Sequence, residues 1–321
     1  MEKALYLTDL NSDFLDKAKE LAPSAIFLRE ASFDAVSTSL LKEVLPDCRL
    51  NILIDIFSTS DLAEDMIETM PIEAQGRDVS FKWYTGICPN NKRIREYRLN
   101  RIEALITNPH VFGIWLDELH YPTFWQAAEP EIFDTCYCST CLSLFTSSKL
   151  EGDKLPTKLE DIVDAIDGQY YTEWLEFKSE SITSFAKEVL AKVRTSGKNT
   201  KLGFFAVPWT DQDFGTGNKR LLGQNLDDLT ELFDYISPML YSSLLGKDSA
   251  WIQSVLDYFS QFTHNLYPAL FSSAELPSLS TNQLHEIMTI LKGNHLKGAL
   301  VMDFAGLINS AEAYQLFKEL A

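Results

Sequence analysis

Positive charge, long apolar runs and glycine are all scarce in this chain, and each shortage removes a class of function. Lys and Arg number 28 against 46 Asp and Glu, giving a formal charge of −18 over 321 residues. Such a balance repels phosphate backbones and anionic lipid, and no Lys/Arg stripe offsets it locally, so neither nucleic acid nor a membrane is an expected partner. No apolar run approaches the roughly 18 residues that a spanning helix needs, and the N-terminus lacks a basic region followed by an apolar core. A soluble, cytoplasmic protein without a targeting signal is therefore expected. Among only 14 glycines, the single Gly-x-Gly, Gly215 and Gly217, follows a Trp-Thr-Asp loop and has no third glycine, so a dinucleotide fold is not indicated. The five histidines, His110, His120, His264, His285 and His295, show no metal-ligand spacing, and neither a Gly-x-Ser-x-Gly elbow nor a phosphate-cradling loop occurs.

What is present is alternation. With 45% hydrophobic residues the chain can bury a large core, and no Pro/Gly/Ser-rich stretch divides it. Apolar runs of strand length begin at Lys3 to Leu10 and continue at Ser24 to Glu30, Leu50 to Phe57, Val79 to Ile87 and Val111 to Asp117. Further runs follow at Lys201 to Val207, Tyr235 to Tyr241, Asn265 to Phe271 and Lys297 to Asp303. Amphipathic stretches of helix length separate them, the pattern of β/α units around a parallel sheet. The predicted architecture is a (β/α)8 TIM barrel spanning 1–321 as one domain. Nine runs compete for eight places, and Lys3 to Leu10 is either the first strand or an outlying one. The link between the Val111 and Lys201 runs is far longer than an ordinary βα loop, so residues 123–168 are expected to form an insertion. The helical positions Trp174, Phe177, Ile182, Phe185 and Val189 beyond it read as packing.

The chemistry concentrates at Gly113-Ile-Trp-Leu-Asp-Glu-Leu-His-Tyr-Pro122, where a buried strand surfaces at two adjacent carboxylates, Asp117 and Glu118. A barrel keeps its active site at that end of its strands. If Ile114 and Leu116 face the helices, alternation turns Gly113, Trp115 and Asp117 inward and Glu118 outward, unless the strand has already ended.

Cysteine is the other concentrated signal. Cys136-Tyr-Cys138-Ser-Thr-Cys141 offers three thiols within six residues, and Cys88, at the end of the preceding run, is placed to supply a fourth. Four such ligands suit a structural zinc. A reduced cluster without metal, disulfides and an iron-sulfur cluster are the alternatives. Cys48 reads as an inert buried thiol.

Cys88-Pro-Asn90, the following Arg- and Tyr-rich helix, the strand ending in an acidic pair and the C-x-C-x-x-C together resemble the family 42 β-galactosidases and related barrel glycosidases. That resemblance implies a structural zinc on the four cysteines and places Asp117 on the family's Asn and Glu118 on its acid/base. Gly113 to Pro122 is also similar to the Gly-Ile-x-Leu-Asp-x-x-Arg-Tyr-Pro strand of a group of barrel glycosidases, and Ser237-Pro-Met-Leu-Tyr241 to their Pro-Met-Leu-Tyr strand. In that group the acid maps to Asp117, and His120 stands where the motif has Arg.

Glycoside hydrolysis needs a second carboxyl across the bond. Glu275, past the seventh strand, is where the resembling clan keeps its nucleophile, and Asp303, at the end of the last strand, is the next candidate; Asp55 and Glu30 follow. Aromatic faces near strand ends stack on sugars, which nominates Trp83, Trp115, Tyr121, Trp209 and Tyr241, with His120 beside them. The expected function is cleavage of an O-glycosidic bond in a carbohydrate by a two-carboxylate, retaining mechanism. The alternatives are a non-catalytic carbohydrate-binding barrel and a barrel enzyme using Asp117 with His120 for proton abstraction or deacetylation.

Overall fold

The computed structural model describes residues 1–58, 62, 70–79, 86–150, 152–271 and 279–320. Eight parallel strands form its centre: β1 Glu2–Tyr6, β2 Ala25–Arg29, β3 Arg49–Asp55, β4 Val111–Asp117, β5 Lys201–Ala206, β6 Tyr235–Pro238, β7 Ala269–Leu270 and β8 Gly298–Val301. They pair in the order β6-β5-β4-β3-β2-β1-β8-β7. Parallel bridges from Ile236 to Leu266 and from Met239 to Ala269 join the two ends of that order and complete the circle. Around it run α1 Ser12–Glu20, α2 Ala35–Val44, α3 Lys92–Thr107, α4 Ser139–Lys149, α5 Leu159–Asp167, α6 Tyr171–Thr195, α7 Gly217–Arg220 and α8 Leu226–Leu229. The ring of helices continues with α9 Ser249–Ser260, α10 Thr281–Gly293, α11 Phe304–Ile308 and α12 Ala311–Lys318. This is the predicted α/β TIM barrel. No helix among the described residues is long and apolar enough to cross a membrane.

The ninth apolar run is resolved by the strand register. Leu50 pairs with Val111 and Asp55 with Asp117, so β3 lies directly against β4 and leaves no place between them for Val79 to Ile87. Residues 80–85 of that run lie outside those described. The first run is thus the first strand, and β4 remains the fourth by either count.

Side chains at alternate positions fill the barrel, and glycines set where the large ones fit. Phe27, Leu53, Trp115, Phe205, Tyr267, Ala269 and Leu300 form one buried interior cluster. Trp115 stacks on Tyr235 at 5.4 Å and meets Phe27 edge-on at 4.9 Å, while its Nε1 donates to Ser237 Oγ at 2.9 Å. A Cβ on Gly203 would lie 2.2 Å from Trp115 Cε2, and one on Gly113 2.8 Å from Cζ3, so the indole occupies the space that these two residues leave open. Gly203→Ala is expected to destabilise the fold by about 3 kcal/mol, because backbone cannot yield to a buried ring. A lower urea midpoint with an unchanged slope would report it; an unchanged midpoint would place the indole elsewhere.

The long connection from β4 to β5 carries α4, α5 and α6. The face that α6 buries includes Trp174, Phe177, Ile182, Phe185 and Val189, as the helical spacing predicts. Trp174 also stacks on Tyr137 at 5.2 Å and meets Phe145 of α4 edge-on, which ties the cysteine-bearing loop to the barrel's outer layer.

Candidate active site

The carboxylates gather at the ends of β3 and β4. Asp55 and Asp117 are register partners, both facing inward. Arg29, the last residue of β2, is paired with Asp55 and lies 4.0 Å from Asp117 Oδ2; its Nε reaches Tyr6 Oη on β1 at 3.4 Å. Burial works against the Arg29 charge, but Asp55 and Asp117 hold it firmly protonated. The far side of this wall is braced by Arg98 of α3. Its fully buried guanidinium donates to the Ile56 and Ser58 carbonyls just past β3.

Asp117 carries the largest electrostatic consequence. Burial raises its pKa first, the charges of Glu118 and Asp55 add to that, and Arg29 only partly opposes them, so its carboxyl is pushed up to about 7. A carboxylic acid that stays protonated near neutrality suits a proton donor. Its Oδ1 accepts from the Glu118 amide at 2.9 Å.

Glu118 departs from simple alternation because the strand ends under it. Its φ of 53° is left-handed, a conformation that costs a non-glycine residue about 1–2 kcal/mol. The turn brings its carboxylate to His120, with Oε2 3.2 Å from Nε2. His120 Nδ1 lies 2.8 Å from the Tyr121 carbonyl, which can only accept, so Nδ1 carries a proton and Nε2 faces Glu118. Burial pulls the His120 pKa down, but the bond and charge of Glu118 outweigh it, and the net shift is upward. His120 is thus the neighbour of Glu118, not the base partner of Asp117 that the third sequence reading requires.

Several sequence-predicted residues sit elsewhere. Trp115 fills the barrel, as described. Tyr121 is fully buried and points to the cysteines, its hydroxyl accepting from Asn90 Nδ2 at 3.1 Å. Trp209 and Tyr241 are only 6% and 4% exposed. Trp209 packs on Phe214 and Tyr241 stacks on Trp125, so both aromatics, nominated as sugar platforms, are spent on core area. Asp303 caps α11, accepting from the Ala305 amide at 2.9 Å. Glu30 is paired with Arg101. Glu275 and Trp83 lie outside the described residues. The residues that the sequence reading passed over are Arg29 and Tyr6. Arg29 shares the inward parity of Phe27, and a lone cation at the end of an apolar run was the available signal.

The four predicted cysteines converge. The sulfurs of Cys88, Cys136, Cys138 and Cys141 all lie within 4.8 Å of one another, and all four residues are buried. Cys88 and Cys141 are 3.3 Å apart, and Cys138 lies 3.7 Å from Cys88. A tetrahedral site with metal–sulfur bonds of about 2.3 Å has edges of about 3.8 Å, so the donor set fits a zinc ion. Asn90 Nδ2 lies 3.3 Å from Cys141 Sγ, and the buried Lys178 ammonium sits 4.8 Å above the Tyr121 ring. These are the donor and the cation that a tetrathiolate centre calls for around it. Cys48 stands apart, half-buried, and burial pushes its thiol up to about 11.

No protein-family model matches the sequence, and no curated protein matches it. Solved structures do. The glycoside hydrolase domain of PgaB (BpsB) from Bordetella bronchiseptica superposes with a TM-score of 0.73 at 12% identity, over 100% of this chain and 98% of that one. The β-galactosidase of the psychrophilic Marinomonas ef1 gives 0.63 at 9% identity over 99% of this chain, and that of Bacillus circulans sp. alkalophilus 0.63 at 10% over 99%. The chain spans 58% and 55% of those two enzymes. These likenesses place the chain in the (β/α)8 barrel fold that these glycoside hydrolases share.

Proposed function

We propose that the protein is a glycoside hydrolase that cleaves an O-glycosidic bond in a carbohydrate by the retaining mechanism, with Asp117 as proton donor. The observation that carries this reading is the Asp117 carboxyl held at about 7 beside Glu118, at the end of the barrel where such enzymes act. Arg29 and Asp55 orient Asp117 and keep its site polar. Glu118, paired with His120, is the adjacent carboxylate that shapes the field around the donor. Glu275, which follows β7 in the sequence, is assigned the nucleophile's role.

The four cysteines are assigned a structural zinc, which would fix the loops after β3 and β4 to one another without entering the reaction. Tying these loops together holds the chain just beyond Asp117.

The alternative is a carbohydrate-binding barrel without turnover, favoured by the commitment of Asp303 to a helix cap. One experiment separates the two. Proton NMR of the anomeric signals during hydrolysis of an oligosaccharide panel is expected to show initial product with the substrate's configuration. Inverted product would overturn the retaining mechanism, and binding by calorimetry without any product would favour the binding barrel.

A further inference from the structure

A continuous series of buried polar contacts joins the cysteine centre to the end of β4. Asn90 Nδ2 touches Cys141 Sγ at 3.3 Å and the Tyr121 hydroxyl at 3.1 Å. Tyr121 is held at its other end as well, its amide donating to the Leu222 carbonyl at 2.9 Å and its ring lying under Lys178. Its carbonyl accepts from His120 Nδ1 at 2.8 Å, and His120 Nε2 meets Glu118 at 3.2 Å. Asn90, Tyr121 and His120 are 9%, 0% and 1% exposed, so water does not compete for these contacts.

Glu118 needs such a hold. Its backbone is left-handed, and a strained residue persists only where its surroundings over-determine it. Among the described residues, His120 is the basic side chain that its carboxylate meets. Arg29, the next cation, is engaged by Asp55 on β3 and Asp117 on β4. An imidazole bonded at both nitrogens has its plane and its reach fixed.

We propose that His120 is a positioning residue that holds Glu118 beside Asp117, and that Tyr121 and Asn90 tie this position to the four-cysteine centre. The geometry stands by itself; its consequence for turnover rests on the glycosidase reading.

The test follows the Asp117 side-chain carboxyl by carbon-13 NMR against pH in the full chain, the signal being assigned by its loss in Asp117→Asn. His120→Asn keeps an amide at the Nδ1 position for the Tyr121 carbonyl but falls short of Glu118. His120→Gln reaches Glu118 with a donor. Tyr121→Phe removes the hydroxyl that Asn90 meets. His120→Asn is expected to move the Asp117 midpoint down by about one unit, because a Glu118 carboxylate no longer held beside Asp117 raises it less. His120→Gln is expected to move it less, and Tyr121→Phe to move it in the same direction with metal content unchanged. Equal midpoints in wild type and a folded His120→Asn would overturn the proposal. Equal shifts in the Asn and Gln variants would reduce His120 to a charge, and an unmoved midpoint in Tyr121→Phe would cut the tie to the cysteines. If His120→Asn does not fold, the Gln and Phe variants decide. With a substrate that the wild type cleaves, His120→Asn should lower kcat at least about tenfold with KM changed less than about twofold. Absence of turnover in the wild type counts against the glycosidase reading alone and leaves the NMR result to judge His120.

Discussion

Asp117→Asn is expected to lower kcat on a cleaved glycoside by about 10²- to 10⁴-fold, the range that a positioned general acid supplies. Asn keeps the shape and accepts from the Glu118 amide as Asp117 does, but it has no proton to give. The wild-type profile carries the same signature: turnover falls as pH rises through about 7, where Asp117 loses its proton. Stability follows with the same sign. Asp117 binds its proton more tightly folded than unfolded, so the folded state is favoured at low pH and loses this contribution as pH rises from about 4 to about 7. Between pH 5 and pH 8 the loss is about 3 kcal/mol. The raised His120 pKa acts in the same direction, its contribution being complete below the unfolded value near 6.5 and lost above the folded one. Melting curves at the two pH values should show a larger drop for wild type than for Asp117→Asn; equal drops would remove Asp117 as the source.

Cys138→Ser is expected to release the metal and destabilise the chain by at least about 3 kcal/mol, a fraction of the roughly 10–16 kcal/mol that such sites supply in isolated peptides. One of the four sulfurs comes from the loop after β3 and three from the connection after β4, Cys141 in the first turn of α4, and their approach to within 4.8 Å of one another suits a cation between them. Losing one ligand frees both loops and, with them, the Asn90–Tyr121 contact beneath Glu118. Metal content by mass spectrometry and the melting temperature read this directly. Wild-type metal content and melting temperature in the variant would refute the zinc assignment.

The parts of this fold legible in the sequence are those that repeat. Strands buried on both faces leave apolar runs, and eight of the nine runs became barrel strands. Val79 to Ile87 misled because a run of strand length carries no sign of which neighbour it pairs with; only the direct β3–β4 register excludes it from the wall. The cysteines were legible because C-x-C-x-x-C with one earlier Cys has few uses. Alternation turned Trp115 and Asp117 inward, and left Glu118 open between an outward position and a strand that had already ended; β4 ends at Asp117, and the left-handed φ of Glu118 has no marker in the sequence. Arg29 was passed over for a related reason. Its role depends on Asp55 and Asp117, far away in sequence and adjacent only across β2, β3 and β4. Trp209 and Tyr241 are buried against Phe214 and Trp125, an environment that a position near a strand end does not announce.

Release of reducing sugar from a panel of neutral and amino-sugar oligosaccharides, by wild type and Asp117→Asn at pH 5 and pH 8, tests the central claim most directly. Wild type should release sugar faster at pH 5 than at pH 8, and the variant should be slower than wild type at pH 5 by at least about 10²-fold. Equal release by the two proteins, or wild-type release that rises through pH 7, would contradict a protonated Asp117 as the donor.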